Sequence, residues 1–258
     1  PGLMFDTYGA DVLRWYFYTV NAPSDFKKFD EADLKKISNK VFSILYNSYV
    51  FFDTYAHKEV KFDLKLEGLG NVLDRWVIAR LHETILNATK NIDSYEIGEA
   101  ARGIEQFIDD LSHWYIRRSR RRLQKPENER DYDEAIATFR YVFEELAKLL
   151  APFAPFFAEA LYQSIHKNES VHLCEWPKGE KKFADKNLIV AMAEVRVIAS
   201  AALALRATHS IKVRQPLAEL RVKSTPEREL LAKNAELLDV LKDEVNVKQI
   251  MFDKVLKD

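Results

Sequence analysis

The sequence predicts a mainly α fold, an antiparallel helical bundle followed by a small α+β module. Glycine and proline are scarce, 7 and 8 in 258 residues, which favours long helices over a turn-rich β architecture. Apolar residues recur at three- and four-residue spacing through most of the chain up to Trp176, the period of a helix with one buried face. Beyond Trp176 a polar stretch leads to a helix, an alternating segment, a second helix and a second alternating segment, which is the pattern of an α+β module.

The elements follow in order. Tyr8–Val20 reads as an aromatic helix with Asp6 or Thr7 as its N-cap, and Pro23 opens a loop. Glu31–Tyr55 carries the stripe Leu34, Ile37, Val41, Ile44, Leu45, Phe52 and Tyr55. Residues 57–72 are charged and contain Gly68 and Gly70, so they read as a connection. A third helix spans Leu73–Asn91, with Leu73, Val77, Leu81 and Ile85 on one face, and a fourth spans Glu99–Gln124. Asp133 is expected to cap a fifth, whose Ile136, Phe139, Phe143, Leu146 and Leu150 repeat at three and four residues. Pro152 and Pro155 sit in or before the first turn of the next. After a linker at 178–186, Asn187–Thr208 is helical, Leu217–Lys223 a strand, Pro226–Leu241 helical, and Asn246–Phe252 a strand. Three parts are expected: 1–30, a bundle at 31–180, and a module at 181–258.

Composition narrows the function classes. The chain is 47% hydrophobic and 31% charged, enough for a sizeable core and a soluble surface. Cys174 is the only cysteine, which excludes a disulfide framework and a cysteine-based zinc site and fits a reducing, cytoplasmic setting. The six histidines form no pair at metal-ligand spacing, and no glycine-rich phosphate loop or nucleophile–base set is readable. No metal site and no catalytic residue are therefore expected. No apolar run is expected to approach the length of a membrane span and the start PGLMFDTYGA has no signal-peptide pattern, while a first residue of Pro1 suggests a piece of a longer chain.

Residues 107–125, FIDDLSHWYIRRSRRRLQK, carry the functional signal. Trp114 and Tyr115 run into Arg117, Arg118, Arg120, Arg121 and Arg122, with no acid between Ser112 and Lys125, in a chain of net charge -1. Arginine forks onto phosphate and an aromatic ring stacks on an unpaired base, so the pattern points to single-stranded or looped RNA. The alternative is a structural bundle in which these arginines pair internally. Arg117 and Arg121 share one face, Arg118 and Arg122 another, and Arg120 lies apart.

The block YEIGEAARGIEQFIDDLSHWYIRRSRRR at 95–122 resembles the anticodon-binding helical domain of isoleucyl-tRNA synthetases. Further blocks follow that family's order: YGADVLRWYF (8–17), LDRWVIARL (73–81), LAPFAPFFAEALYQSI (150–165) with SVHLCEWP (170–177), and IKVRQPLAELRV (211–222) with LLDVLKDEVNVKQIMF (237–252). Neither the His-Ile-Gly-His type motif nor the Lys-Met-Ser-Lys-Ser motif of the family's catalytic core is present. The resemblance implies that residues 1–30 follow that core as a stem-contact segment, that 31–180 bind the anticodon arm, and that 181–258 begin a C-terminal module. It implies a parent enzyme that joins isoleucine to its tRNA using ATP with magnesium, with no cofactor in this fragment itself. The implied partners are the isoleucine tRNA and, in cis, an N-terminal catalytic core; no membrane is implied, and a monomer is expected. Alternatives are the equivalent region of a valyl or leucyl enzyme.

The resemblance also nominates site residues. Trp114 is the expected base-stacking residue, or else packs with Phe107 and Leu111 on one helix face. Arg117, Arg118, Arg121 and Arg122 are expected on phosphates, which position the RNA rather than specify it, and Arg120 is expected to pair internally. By likeness to the methionyl relative, whose matching helix reads anticodon bases, Ser43 and Asn47 are expected near bases; relatives often have Trp-Asn where this chain has Phe42-Ser43. Arg214 and Gln215 either touch RNA or order a helix–strand junction, with the second preferred. With one cysteine, the chain cannot build the zinc module that ends many bacterial relatives.

Overall fold

A computed structural model describes residues 2–21, 25–26, 29–56, 64–167 and 169–254. The chain divides into two compact units, Pro1–Ala184 and Asp185–Asp258.

The first unit is helical. Gly9 takes φ 83°, a backbone state open to glycine, and breaks the expected first helix into α1 (Gly2–Tyr8) and α2 (Ala10–Thr19). Asp6 and Thr7 therefore lie inside α1 instead of capping a helix. Helix α3 (Glu31–Ile37), capped by Asp30, continues through a π-helical stretch, Ser38–Ser43, into α4 (Ile44–Tyr55). The expected connection falls partly on 57–63, outside the described residues. Helix α5 (Val72–Asp93) is capped by Asn71, and Glu134 accepts the Gly70 and Asn71 N–H groups at 2.6 and 3.2 Å. Helix α6 (Ile97–Asp110), a second π-helical stretch (Leu111–Ile116) and α7 (Arg117–Gln124) form one continuous rod. Helix α8 (Glu129–Leu150) starts one turn earlier than its apolar spacing suggests. Asn128, not Asp133, accepts the Arg130 and Asp131 N–H groups. Helix α9 (Pro155–Ile165) has its proline in the first turn.

Trp15, Tyr16, Trp76, Phe107, Tyr115, Phe139, Phe143 and Phe153 form the buried aromatic core of this unit. Two charges on α2 fasten it to the α8–α9 corner. Asp11 accepts the Phe157 N–H at 2.7 Å in the first turn of α9, and Arg14 donates to the carbonyls of Pro152 and Phe153 at 2.9 and 3.3 Å. Asp11 thus meets an N–H that the start of α9 leaves unsatisfied, with the sign that the helix dipole favours, and Arg14 ties down the carbonyls of the turn between α8 and α9.

His82 holds the polar stretch after Trp176 against α5. Its Nδ1 accepts the Glu180 N–H at 3.1 Å, its Nε2 lies 3.3 Å from the Tyr141 hydroxyl, and the ring packs on Phe183. Trp176 Nε1 donates to Thr89 at 2.8 Å. Burial pulls the His82 pKa below its ordinary value; the charge of Glu180 opposes that shift and that of Lys182 adds to it. The unfolded chain then binds a proton that the folded one refuses, so stability rises with pH in this window. Full stability from His82 is expected above about pH 6.5, falling as the pH drops below it. Urea midpoints measured from pH 7.5 to 5 check this: His82→Gln should flatten the acid-side decline of the parent chain.

The second unit opens with α10 (Lys186–Thr208), capped by Asp185. Strands β1 (Leu217–Lys223) and β2 (Val247–Asp253) pair in parallel, from Leu217 opposite Val247 to Lys223 opposite Asp253. The connection between them carries α11 (Glu229–Ala232) and α12 (Ala235–Val245). The single helix expected over Pro226–Leu241 is split because Asn234 caps a new start by accepting the Leu237 N–H at 3.1 Å. One reading of the apolar pattern is corrected: α10 is long and apolar enough to cross a membrane by length and composition. Its buried side chains, among them Leu188, Met192, Val195 and Ile198, face the core of this unit.

Candidate nucleic-acid interface

The rod α6–π–α7 sets the site. Its buried positions are Ala100, Ala101, Ile104, Phe107, Ile108, Asp110 and Leu111, then Trp114, Tyr115 and Ile116, then Ser119 and Leu123. The π-helical stretch Leu111–Ile116 winds wider than an α-helix and so resets the face presented by the segment that follows. As a result Arg117, Arg120, Arg121 and Gln124 are exposed, at the spacing of one helix face, whereas Arg118 and Arg122 are turned inward.

This phase exchanges the roles of two arginines. Arg122, expected on phosphate, is held internally. Its Nη1 and Nη2 donate to the two carboxylate oxygens of fully buried Asp74 at 2.8 Å each, and its Nε and Nη2 donate to Asp131 at 2.8 and 2.7 Å. The Tyr115 hydroxyl donates to Asp74 at 2.6 Å. Burial opposes the Arg122 charge, but the hydrogen bonds and field of Asp74 outweigh it and raise its pKa. Arg120, expected to pair internally, instead lies exposed with its guanidinium 5.4 Å from the centre of the Phe51 ring.

The base-stacking expectation for Trp114 is likewise corrected. The indole is 5% exposed, and the Arg117 guanidinium lies 5.4 Å from its ring centre while Arg117 Nε donates to the His113 carbonyl at 3.0 Å. Trp114 is a core residue that supports Arg117. Arg118 is half-buried. Arg121 pairs with Glu127 at 2.6 Å, with both side chains largely in solvent; such a pair contributes about 1 kcal/mol or less and exchanges readily for another anion.

Helix α4 completes the face. Arg120 meets Phe51, and Gln124 donates to the Tyr55 hydroxyl at 3.1 Å. These contacts are four residues apart on both helices, so α4 and α7 run side by side in the same direction. One turn back along α4, Asn47 is level with Ile116 and Arg117. Ser43, Tyr46, Asn47 and Val50 are all exposed at helical spacing; the same register sets Asn47 level with Arg117, and Ser43 level with Ser112 and His113, a turn before the arginines. Two residues of this face were not nominated from the sequence: Arg120, and Tyr46, which is 59% exposed. Tyr46 was legible as the i+3 neighbour of Ser43. An open cleft of about 530 Å³ lies at the end of the face, lined by Tyr55, Leu123, Gln124, Pro126, Glu127 and Tyr132 among others. Among the described residues no three His, Cys, Asp or Glu side chains gather to hold a metal.

An exposed arginine face beside polar and aromatic side chains, carried on a packed helical bundle, defines a helical module with one basic face. The fold is shared with LeuRS from Agrobacterium radiobacter K84, solved in a ternary complex with tRNA and LeuAMS: TM-score 0.54 over 72% of this chain and 21% of that one, at 16% identity. The chain belongs to the family described as the anticodon-binding domain of tRNA ligase, whose model matches residues 74–223. Curated relatives bear the name isoleucine–tRNA ligase. The one from Dehalococcoides mccartyi strain CBDB1 is 39% identical over 98% of this chain, those from Clostridium acetobutylicum and Deinococcus radiodurans 37% and 36% identical over the same share. The chain covers 26%, 24% and 24% of these relatives, so it spans about a quarter of their length. Helix α4, with Ser43 and Asn47, lies outside the stretch matched by the family model.

Proposed function

We propose that this chain binds the anticodon arm of an isoleucine tRNA as part of an isoleucine–tRNA ligase. The observation that carries the reading is the joint exposed face of α4 and α7 in a chain of the anticodon-binding family. Arg117, Arg120 and Arg121 meet backbone phosphates and set the register of the RNA. Tyr46 offers the exposed ring on which an unpaired base stacks, and Ser43 and Asn47 offer the hydrogen-bonding groups that read base edges. The cleft at Tyr55 and Tyr132 has room for one splayed base. On this reading residues 1–30 contact the stem, 31–180 hold the anticodon arm, and 181–258 belong to a C-terminal module. Activation of isoleucine by ATP with magnesium, and its transfer to tRNA, take place on a core elsewhere in the polypeptide, working in the cytoplasm as a monomer without membrane attachment.

Fluorescence anisotropy with isoleucine, valine and methionine tRNA transcripts tests this. Tightest binding to the isoleucine transcript is expected, with log K falling linearly against log salt at about 0.7 to 0.9 per neutralised phosphate. Absence of binding at low salt, or equal affinity for the three, overturns the reading.

A further inference from the structure

Arg206 is 4% exposed in the last turn of α10. Its guanidinium is held by backbone carbonyls: Lys212 at 3.3 Å, Gln215 at 3.0 Å and Asn246 at 3.0 Å. Asn246, in the left-handed conformation at φ 51°, donates from its side-chain amide to the Val213 carbonyl at 2.8 Å. The loop between α10 and β1 thus turns the carbonyls of Lys212, Val213 and Gln215 inward. None of the described peptide bonds is cis, and a trans peptide sets its N–H opposite its C=O. The N–H groups of Val213 and Arg214 therefore point away from Arg206 and Asn246, and the residues Lys212, Val213 and Arg214 are exposed. The peptide after Gln215 ends on Pro216 and has no N–H. No acidic residue occurs between Arg206 and Glu219.

Adjacent backbone N–H groups in a turn, flanked by cations and set by inward carbonyls, make an anion-binding concavity. We propose that the loop at 209–216 is a second phosphate site, in which the Val213 and Arg214 N–H groups and the Lys212 and Arg214 side chains hold one segment of RNA backbone. Arg206 and Asn246 are positioning residues: they touch no ligand and fix which side of the loop the N–H groups face. The assignment to RNA rests on the tRNA-binding reading above. A free phosphate ion shares the chemistry, and the experiment separates the two sources.

Amide NMR of the chain follows Val213 and Arg214 during titration with isoleucine tRNA and, separately, inorganic phosphate. In parallel, the salt dependence of tRNA binding is measured for Lys212→Ala/Arg214→Ala. Expected are shifts of both amides with tRNA and a salt slope shallower by about 1.4 to 1.8, two contacts' worth. Asn246→Gly keeps the left-handed backbone, which glycine adopts freely, while removing the clamp on Val213; it should shrink the tRNA-induced shifts even with both cations present. An unchanged slope overturns the RNA assignment, as do amides that respond to inorganic phosphate and not to tRNA. Amides silent to both overturn the site. If tRNA binding depends on Arg117, Arg120 and Arg121 but not on Lys212 and Arg214, this proposal fails while the function proposed above stands. If the unmodified chain binds no tRNA, that function fails, and the phosphate titration alone decides whether the loop is an anion site.

Discussion

Replacing Arg122 by methionine is expected to destabilise the first unit by about 3–5 kcal/mol, the cost of leaving a buried carboxylate without its partner. Asp74 is fully buried, and in the variant the Tyr115 hydroxyl alone would face its charge. For a unit of this size each kcal/mol moves the melting temperature by about 2–4 °C, so a drop on the order of 10 °C is expected by calorimetry. The double variant Asp74→Leu/Arg122→Met should recover part of the loss, because replacing a buried ion pair with apolar side chains is often close to neutral. A phosphate-binding role for Arg122 predicts the reverse pattern, with stability kept and RNA affinity lost. Wild-type stability in Arg122→Met would therefore refute the internal assignment.

The triple variant Arg117→Ala/Arg120→Ala/Arg121→Ala should leave folding nearly intact, since the three side chains are exposed and Arg121 pairs only at the surface. Its effect should fall on tRNA. Loss of three phosphate contacts makes the salt slope shallower by about 2 to 3 and weakens binding by roughly two orders of magnitude at 0.1 M salt. Arg120 is the discriminating member. If a single Arg120→Ala change leaves the slope unaltered while Arg118→Ala lowers it, the outward face assigned to α7 is wrong.

Helix existence was legible because a buried face leaves a repeat of apolar residues every three or four positions, as in Ile136, Phe139 and Phe143 of α8. Starts were less legible. A cap is chosen by geometry, and both Asn128 and Asp133 are competent caps by type. Gly9 interrupts the first helix through its positive φ, and Asn234 restarts another, without disturbing the apolar spacing that reads as continuous helix. The acid-free basic run at 112–125 was visible as a polyanion signal, and the helix carrying Ser43 and Asn47 could be nominated from family likeness. Which arginine faces outward could not be read, because the π-helical stretch before α7 shifts the face and leaves no composition signature.

The sequence by itself determined that this is a helical bundle with a strand-bearing module, related to isoleucine–tRNA ligases, with an acid-free run of five arginines on one short helix. Hydrophobic period, residue type and motif order are local properties, and they survive in one dimension. The tertiary structure alone decided how that charge is divided. Asp74 lies 48 residues before Arg122 and captures it, while Phe51, 69 residues before Arg120, supports that arginine in solvent. A guanidinium in reach of a buried carboxylate pairs with it because the desolvated carboxylate has no better partner. That proximity is set by packing between α5, α7 and α8 and not by anything in the arginine run itself.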